Sequence, residues 1–600
     1  MTIIPSVKHC STNKKSFILP PIMAVYVPKQ LSIIKGILDD VFPWRESLLE
    51  TADCIFVNDR SVPEEGYILE IEESRIMIRY REYAGCVHAL MTLKQMVDND
   101  RIPIGSVTDY PDLKIRGLLL DISRDKIPTM TTLKQIADLM MLVKMNHLEL
   151  YVEGFPIFLP SFPDLPYETP ITKVELKEFE AYCLMRAIEL VPNVNTFGHM
   201  TKWLQLDRFH HLAECESGYI NHGYPFPAST LNPLEEESIK LVKKIILDMA
   251  DGSSSEFFNL NGDEPFELSL GKSKVATDKK GVGNVYLEYM EKHFQTVRDI
   301  DKTPMIWGDV LANHMELLPD FTKDVVVIDW GYDASHDFDT PAKAYHDNKI
   351  PFLLAPGTSS WNSFASRLSD MIKTTDNSVL AANTFRGLGV LMTDWGDFGH
   401  PQSIIFSYPG IVYAAKETWT KSGDFTNVVS WMDEQIFAKV PSKLAKRIVD
   451  LAGYYQLEDV YVSNSTMIFS SWMFSDPDPN HPLPFKFQIW KSALSQYPIS
   501  LEAADKIYAL LEMTKSGLEN ESLLEAREII QTVNLIDLCM SMNLMINRQK
   551  NQLERLIKLT ETIKTGYKNI WLERNQSGGL KSAMSRLEVL QAFLHNWEKL

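Results

Sequence analysis

The segment Phe257-Phe258-Asn259-Leu260-Asn261-Gly262-Asp263-Glu264 runs an apolar stretch into a glycine and then into two adjacent carboxylates. Solvated Asp-Glu pairs are common, so the dipeptide alone says little. The apolar run before it gives it weight, as does Gly262, which lets backbone come close to a ligand. Two like charges in a closed site raise the pKa of one member and keep a proton ready for donation. That is the chemistry of a general acid beside an ionised neighbour. Ends of similar apolar runs carry Asp121, Glu153, His199, Trp307, Asp309, Trp330, Tyr332, Trp361, Trp395 and Asp397. A single Trp at such a place is more often core packing. Four of the chain's 12 Trp at successive ends form a pattern. Flat aromatic walls with carboxylates between them suit a sugar, whose C–H faces stack on rings while its hydroxyls bond to the acids.

The elements that must bring these residues together are eight apolar runs. They are Gly117–Asp121, His147–Glu153, Ile188–Asn193, Phe257–Asn261, Thr303–Trp307, Val325–Trp330, Pro351–Ala355 and Gly389–Thr393. Their nearly continuous Leu, Ile, Val and Phe content predicts parallel strands buried on both faces. Helical periodicity fills the gaps at Thr131–Met145, Leu234–Met249, Gly283–Val297 and Ser366–Ala382. The acidic Glu235, Glu236 and Glu237 suit the start of the second of these. The connections after the fifth and sixth runs are less clear. Eightfold strand–helix alternation predicts an α/β fold with a central (β/α)8 TIM barrel over residues 109–425, its site at the carboxyl ends of the strands. A doubly wound open sheet is the rival, but no Gly-rich phosphate turn follows the first strand.

The flanks differ from the middle. Residues 1–108 contain strand-like Tyr67–Ile71 and Arg75–Tyr80 and a helical Ala84–Met96, which predicts a small α+β domain. Residues 426–600 predict a mainly α-helical domain with long stretches at Leu523–Met545 and Asn551–Thr565, Gly578-Gly579 breaking the last two helices. Its helices could support the barrel or form a homodimer interface, and long amphipathic helices are more often intramolecular core.

Composition narrows the class. The 600 residues are 45% apolar and 23% charged, with 28 Gly and 32 Pro, which excludes disordered, collagen-like and coiled-coil chains. With 60 basic against 79 acidic side chains the net charge is −19, so phosphate backbones and anionic membranes repel it. No nucleic acid and no membrane are expected as partners. The six cysteines are widely spaced without a Cys-x-x-Cys, which reads as free thiols in a reducing compartment. Pro5, Lys8, Lys14 and Lys15 interrupt the N-terminus before any signal-peptide core, and no stretch reads as the ~20 apolar residues of a membrane span. The expectation is a cytoplasmic protein.

Taken in order, the motifs resemble the family 20 glycoside hydrolases, the β-N-acetylhexosaminidases. The resemblance is carried by Arg116-Gly117-Leu118-Leu119-Leu120-Asp121, by Val191-Pro192-Asn193-Val194-Asn195-Thr196-Phe197-Gly198-His199 and by Asn261-Gly262-Asp263-Glu264. It continues through Trp307-Gly308-Asp309, Asp329-Trp330-Gly331-Tyr332 and Thr393-Asp394-Trp395-Gly396-Asp397. It implies an exo-acting, retaining, substrate-assisted mechanism on terminal GlcNAc or GalNAc, an exception to the two-carboxylate scheme. Glu264 would be acid and then base, and Asp263 would hold the acetamido N–H. Arg116 and Asp397 would bind sugar hydroxyls, while Trp307, Trp330, Trp361 and Trp395 would wall the pocket. Glu153 and His199 match a His–acid pair that supports the catalytic carboxylates. The partner would be an amino-sugar glycan or glycoconjugate, with no cofactor.

Competing readings of single residues are plainer. His199 alone reads as a satisfied core histidine about one time in three. A metal site would need His-Glu-x-x-His or a second His at ligand spacing, and neither is present near His199. The pair His210-His211 reads as surface.

The chain departs from the family pattern twice. Many relatives have a Tyr at the end of the seventh strand for the acetamido oxygen, where this chain has Pro356-Gly357-Thr358-Ser359-Ser360-Trp361, with Tyr332 as a candidate replacement. Glu153 stands where many have Asp. Looser acetamido recognition would favour glucosamine itself, so an exo-β-glucosaminidase is one alternative. Another barrel glycosidase with a carboxylate nucleophile and a non-catalytic sugar-binding protein are the others.

Overall fold

The computed structural model describes all residues except 1, 222–223, 438–442, 477–482, 519–520, 548–551 and 598–600. All eight apolar runs are parallel strands of one sheet, at Ile115–Asp121, His147–Tyr151, Glu189–Val191, Phe257–Asn259, Thr303–Trp307, Val326–Trp330, Phe352–Ala355 and Gly389–Asp394. They are called here the first to eighth barrel strands. Hydrogen-bonded neighbours run third, second, first, eighth, seventh, sixth, fifth, fourth. A parallel bridge between Asn193 and Asn259 joins third to fourth and closes the ring. There the Asn259 amide donates to the Pro192 carbonyl at 2.8 Å and the Val194 amide to the Asn259 carbonyl at 3.1 Å.

The strand interior is filled by Ile115, Leu119, Val191, Met305, Val326, Ile328, Leu353 and Leu391, whose opposite neighbours pack outward on the helices. That double burial is why the runs are continuous rather than alternating. Helices lie at Met130–Leu142, Glu236–Ala250, Val282–Arg298 and Leu368–Thr384. The second begins two residues later than the periodicity predicts because the Glu235 side chain caps it, accepting from the Glu237 amide. The two unclear connections hold short helices at Asp309–Ala312 and Asp339–Asp347.

Before the barrel stands a seven-stranded mixed sheet with the helix Tyr83–Met96 packed on it. It meets the amino-terminal end of the barrel through buried charge. Lys144 Nζ donates to Asp109 Oδ2 at 2.8 Å and to the Tyr67 hydroxyl at 2.9 Å, with both charged side chains fully buried. After the barrel the chain is helical, and the helices of this region share one core with the barrel's outer layer.

Leu524–Ile546 corrects the expectation that no segment approaches a membrane span. It is long and apolar enough by composition, with a mean hydropathy of 1.5, but 83% of that window is buried inside the protein. Its apolar length is spent on neighbouring helices. The next helix runs Leu553–Arg574, nine residues past the predicted Thr565, and Asn551 lies outside the described residues.

Candidate active site

A polar chain inside the barrel fixes the floor of the site. Glu149, fully buried, takes His147 Nε2 on Oε1 at 2.8 Å and accepts from Asn193 and Asn259 on Oε2, each at 2.7 Å. Asn193 Oδ1 accepts from Asn261 Nδ2 at 2.7 Å, and Asn261 Oδ1 from Trp307 Nε1 at 2.7 Å. Each link is buried, so losing one strands a polar group and tilts the Trp307 ring.

Above this floor the third and fourth loops are pressed together. A Cβ on Gly198 would lie 2.2 Å from the Asp263 carbonyl oxygen, so only glycine permits this approach. His199 and Glu264 then take left-handed backbone, with φ of 56° and 45°, as do Asn261 and Gly262. Left-handed backbone at non-glycine residues costs free energy and persists where the surroundings impose it. The result aims three side chains at one point. His199 Nε2 is 3.4 Å from Asp263 Oδ2 and 3.3 Å from Glu264 Oε2, and its Nδ1 is 3.6 Å from Glu153 Oε2. Burial disfavours a charged imidazole, but the Asp263, Glu264 and Glu153 carboxylates outweigh it and hold His199 well above its usual range. An imidazolium so placed offsets part of the charge of the Asp-Glu pair and orients both carboxylates.

The opposite wall is built on Arg124. Its Nη1 is 2.9 Å from Asp121 Oδ2 and 3.1 Å from Asp397 Oδ1, and its Nη2 is 3.2 Å from Glu153 Oε2. Asp121 also accepts from the Ser123 and Gly396 amides, each at 2.9 Å. Burial would raise its carboxyl, but Arg124, His400 and these donors hold it below the usual range.

The aromatic residues complete a pocket of about 110 Å³ lined by Arg124, His199, Asp263, Glu264, Trp307, Trp330, Tyr332, Trp361, Trp395, Asp397 and Asn464. Trp330 lies on Tyr332 with ring centres 5.3 Å apart, and Tyr332 meets Trp361 edge-on at 4.9 Å. The Tyr332 hydroxyl accepts from Trp395 Nε1 at 2.8 Å and also meets the Thr393 side chain. Thr358 and Ser360 donate to Asp394 at 2.6 and 2.8 Å, which fastens the loop that ends in Trp361 to the eighth strand.

Ten of the eleven residues given a role in the sugar site therefore converge: Asp263, Glu264, Glu153, His199, Trp307, Trp330, Tyr332, Trp361, Trp395 and Asp397. Arg116 does not, and that expectation is corrected. It stands at the start of the first strand, fully buried beneath the barrel. There it donates to Glu65 Oε2 at 2.5 Å, to the Lys144 carbonyl at 2.9 Å and to the Leu113 carbonyl at 2.9 Å. The pocket's arginine is Arg124, three residues past the end of that strand. Its signal was position, since the site is built from residues at or beyond the carboxyl ends of the strands. Asn464 was missed as well. It arrives from the helical region, with its Oδ1 accepting from Arg367 at 2.5 Å, and no local pattern marks it.

Two family models cover more than half of the chain. The glycosyl hydrolase family 20 catalytic domain matches residues 114–350, and domain 2 of the same family matches residues 1–110. The chain belongs to glycosyl hydrolase family 20. Among relatives of this family 20 chain, β-hexosaminidase A of Caenorhabditis briggsae is 25% identical over 281 residues, covering 42% of this chain and 50% of the relative. The chain thus spans about half the length of the curated relatives it matches. A β-N-acetylhexosaminidase structure from Bacteroides fragilis superposes with a TM-score of 0.61 at 18% identity, over 73% of this chain and 95% of that one. A Flavobacterium johnsoniae chitobiase superposes with a TM-score of 0.61 at 17% identity over 99% of both chains. These similarities show the fold. No cluster of three or more His, Cys, Asp or Glu suited to a metal ion occurs among the described residues of the family 20 chain.

Proposed function

We propose that this protein is an exo-acting, retaining β-N-acetylhexosaminidase that removes terminal N-acetylhexosamine with the substrate's own acetamido group as nucleophile. The observation that carries the reading is the Asp263–His199–Glu264 cluster set inside four indoles. Membership of family 20 and the names of its relatives support the substrate class.

In this reading the sugar's hydroxyls bond to Arg124 and Asp397, and its acetamido group lies among Trp307, Trp330 and Trp395. The acetamido oxygen attacks C1 as the bond from C1 to the leaving oxygen breaks, and Glu264 gives that oxygen its proton. Asp263 accepts from the acetamido N–H and stabilises the positive charge that spreads over the new oxazolinium ring. Tyr332, kept protonated by burial, donates to the acetamido oxygen. Glu264, now a base, takes a proton from water as that water attacks C1 and the ring reopens. His199 stays charged and holds both acids in place.

The test pairs a variant with an inhibitor. Glu264→Gln is expected to cut turnover of an aryl N-acetyl-β-glucosaminide by about 10²- to 10⁴-fold. A thiazoline mimic of the cyclic intermediate is expected to inhibit the wild type competitively. Near-normal turnover in the variant would sink the reading. Lack of thiazoline inhibition would favour a carboxylate nucleophile, although such enzymes place their two carboxyls about 5 Å apart, one of them as nucleophile. Asp263 and Glu264 are neighbours on one loop and meet the same imidazole nitrogen. We also infer a reducing, cytoplasmic location, which is supported by six free cysteines, four of them buried.

A further inference from the structure

Beside the catalytic pocket lies a larger cavity of about 460 Å³, and the two share Trp330, Tyr332 and Asn464. Its remaining walls bring in Asp309, Asp329, Asp333 and His336, with no lysine or arginine among the described lining residues. Asp333 is fixed in place, accepting from the Ser463 hydroxyl at 2.5 Å and the Asn464 amide at 2.8 Å. Asp329 is 5% exposed, and its Oδ2 has no hydrogen-bond partner. His336 Nε2, equally unpartnered, stands 3.6 Å from that oxygen. Asp309 accepts the Glu264 amide on Oδ2 at 3.1 Å and leaves Oδ1 without a partner.

Asp309 and Asp329 each keep an oxygen without a hydrogen bond, and the basic group of this lining, His336, pairs with Asp329 only when protonated. Burial, followed by the charge of Asp263, pushes Asp309 up to about 7, and burial also raises Asp329. Two acids with an unpartnered oxygen each, and Asp333 beside them at the open edge, are stabilised by an incoming positive charge and oppose a negative one. The half-buried Trp330 adds a flat wall on which a sugar ring or its ammonium group can rest.

Position decides which part of a substrate arrives there. The bond from the Glu264 amide to Asp309 puts the cavity on the proton donor's side of the pocket. Arg124 and Asp397 hold the opposite wall. A sugar gripped by that wall, with its C1 beside Glu264, sends its leaving group toward the acid-lined space.

We propose that this cavity receives the sugar on the leaving side of the cleaved bond and selects a 2-amino-2-deoxyhexose with a free, protonated amine over its N-acetylated form. The inference rests on the hydrolase reading above. It assigns Asp329 and Asp333 as residues that set specificity without touching the reacting atoms.

The experiment compares kcat/KM on two disaccharides, N-acetylglucosamine β-linked to glucosamine and the same sugar β-linked to N-acetylglucosamine. They are assayed at low salt and at a pH where the amine is charged. An aryl N-acetyl-β-glucosaminide serves as control. The wild type is expected to prefer the amine-bearing disaccharide by roughly tenfold, the scale of one charge-assisted hydrogen bond, and added salt is expected to shrink the preference. Asp333→Asn and Asp329→Asn should each reduce the preference while leaving aryl glycoside turnover nearly unchanged. Asp333 lies at the less buried edge, so its variant carries the test if Asp329→Asn fails to fold. A wild type with no preference for the amine, or a preference that survives in both variants, overturns the proposal. Aryl turnover without amine preference defeats this inference alone, whereas no turnover of any of the three substrates defeats the hydrolase reading with it.

Discussion

Arg124 Nη1 stands 3.1 Å from Asp397 Oδ1, and this contact ties the loop after the first barrel strand to the loop after the eighth across the mouth of the pocket. The same guanidinium also meets Asp121 and Glu153. One planar fork thus sets the spacing of three carboxylates, a task that the point charge of lysine does not perform. Arg124→Lys is expected to raise KM for an aryl N-acetylglucosaminide by about tenfold, with a smaller change in kcat. Steady-state kinetics check this, and an unchanged KM would remove Arg124 from the binding wall.

Arg116 predicts the opposite pattern. Its partners are Glu65 and backbone carbonyls at the junction with the amino-terminal sheet. Removing one member of a buried ion pair costs about 3 kcal/mol. Arg116→Met should therefore lower Tm clearly and leave KM as it was in the fraction that folds. Thermal melts together with kinetics on the same preparation separate the two arginines.

Asp263 is expected to matter only when an acetamido group is present. Asp263→Asn should slow N-acetyl substrates by roughly 10²-fold, the cost of losing one preorganised electrostatic contact. Activated aryl glycosides without the acetamido group should lose much less. Equal losses on both substrate types would contradict its assigned role.

Tyr332→Phe tests the replacement for the seventh-strand tyrosine. The variant keeps the ring that stacks on Trp330 and removes the hydroxyl that accepts from Trp395. Turnover of N-acetyl substrates should fall by about tenfold, with Tm nearly preserved. A wild-type rate would place acetamido recognition elsewhere.

Asp309 gives a stability prediction with a definite sign. Its folded pKa is raised from 3.8 to about 7, first by burial and then by Asp263. Between those values the native state binds a proton that the unfolded chain has released, so stability falls as pH rises through the window. Asp309→Asn removes this dependence while keeping an acceptor for the Glu264 amide. The variant's Tm relative to wild type should therefore climb from pH 5 to pH 8. A flat difference would mean that Asp309 titrates normally.

The barrel was legible because its strands are buried on both faces, which leaves continuous runs such as Leu118-Leu119-Leu120 that hardly any other element produces. Most of the site was legible because the carboxyl end of each strand is also a position in the sequence. Arg116 shows the limit of that reading. It belongs to a recognisable motif, yet it lies at the amino end of its strand, where its side chain reaches the Glu65 carboxylate at the other end of the barrel from the pocket. A raised carboxyl stands at Asp309, which the sequence marks only as a strand-end residue, and its causes are burial and the charges of Asp263 and Glu264. Asn464 was beyond reach, because its arrival depends on how remote helices pack and not on any neighbour in sequence.

Asn464 also bears on how the protein is made. Every strand of the barrel has been synthesised by residue 394, while Asn464 of the pocket lining has yet to be translated. A nascent chain that has completed its barrel still presents an unfinished cleft, so maturation of the active site waits on a segment that belongs to a different region of the molecule.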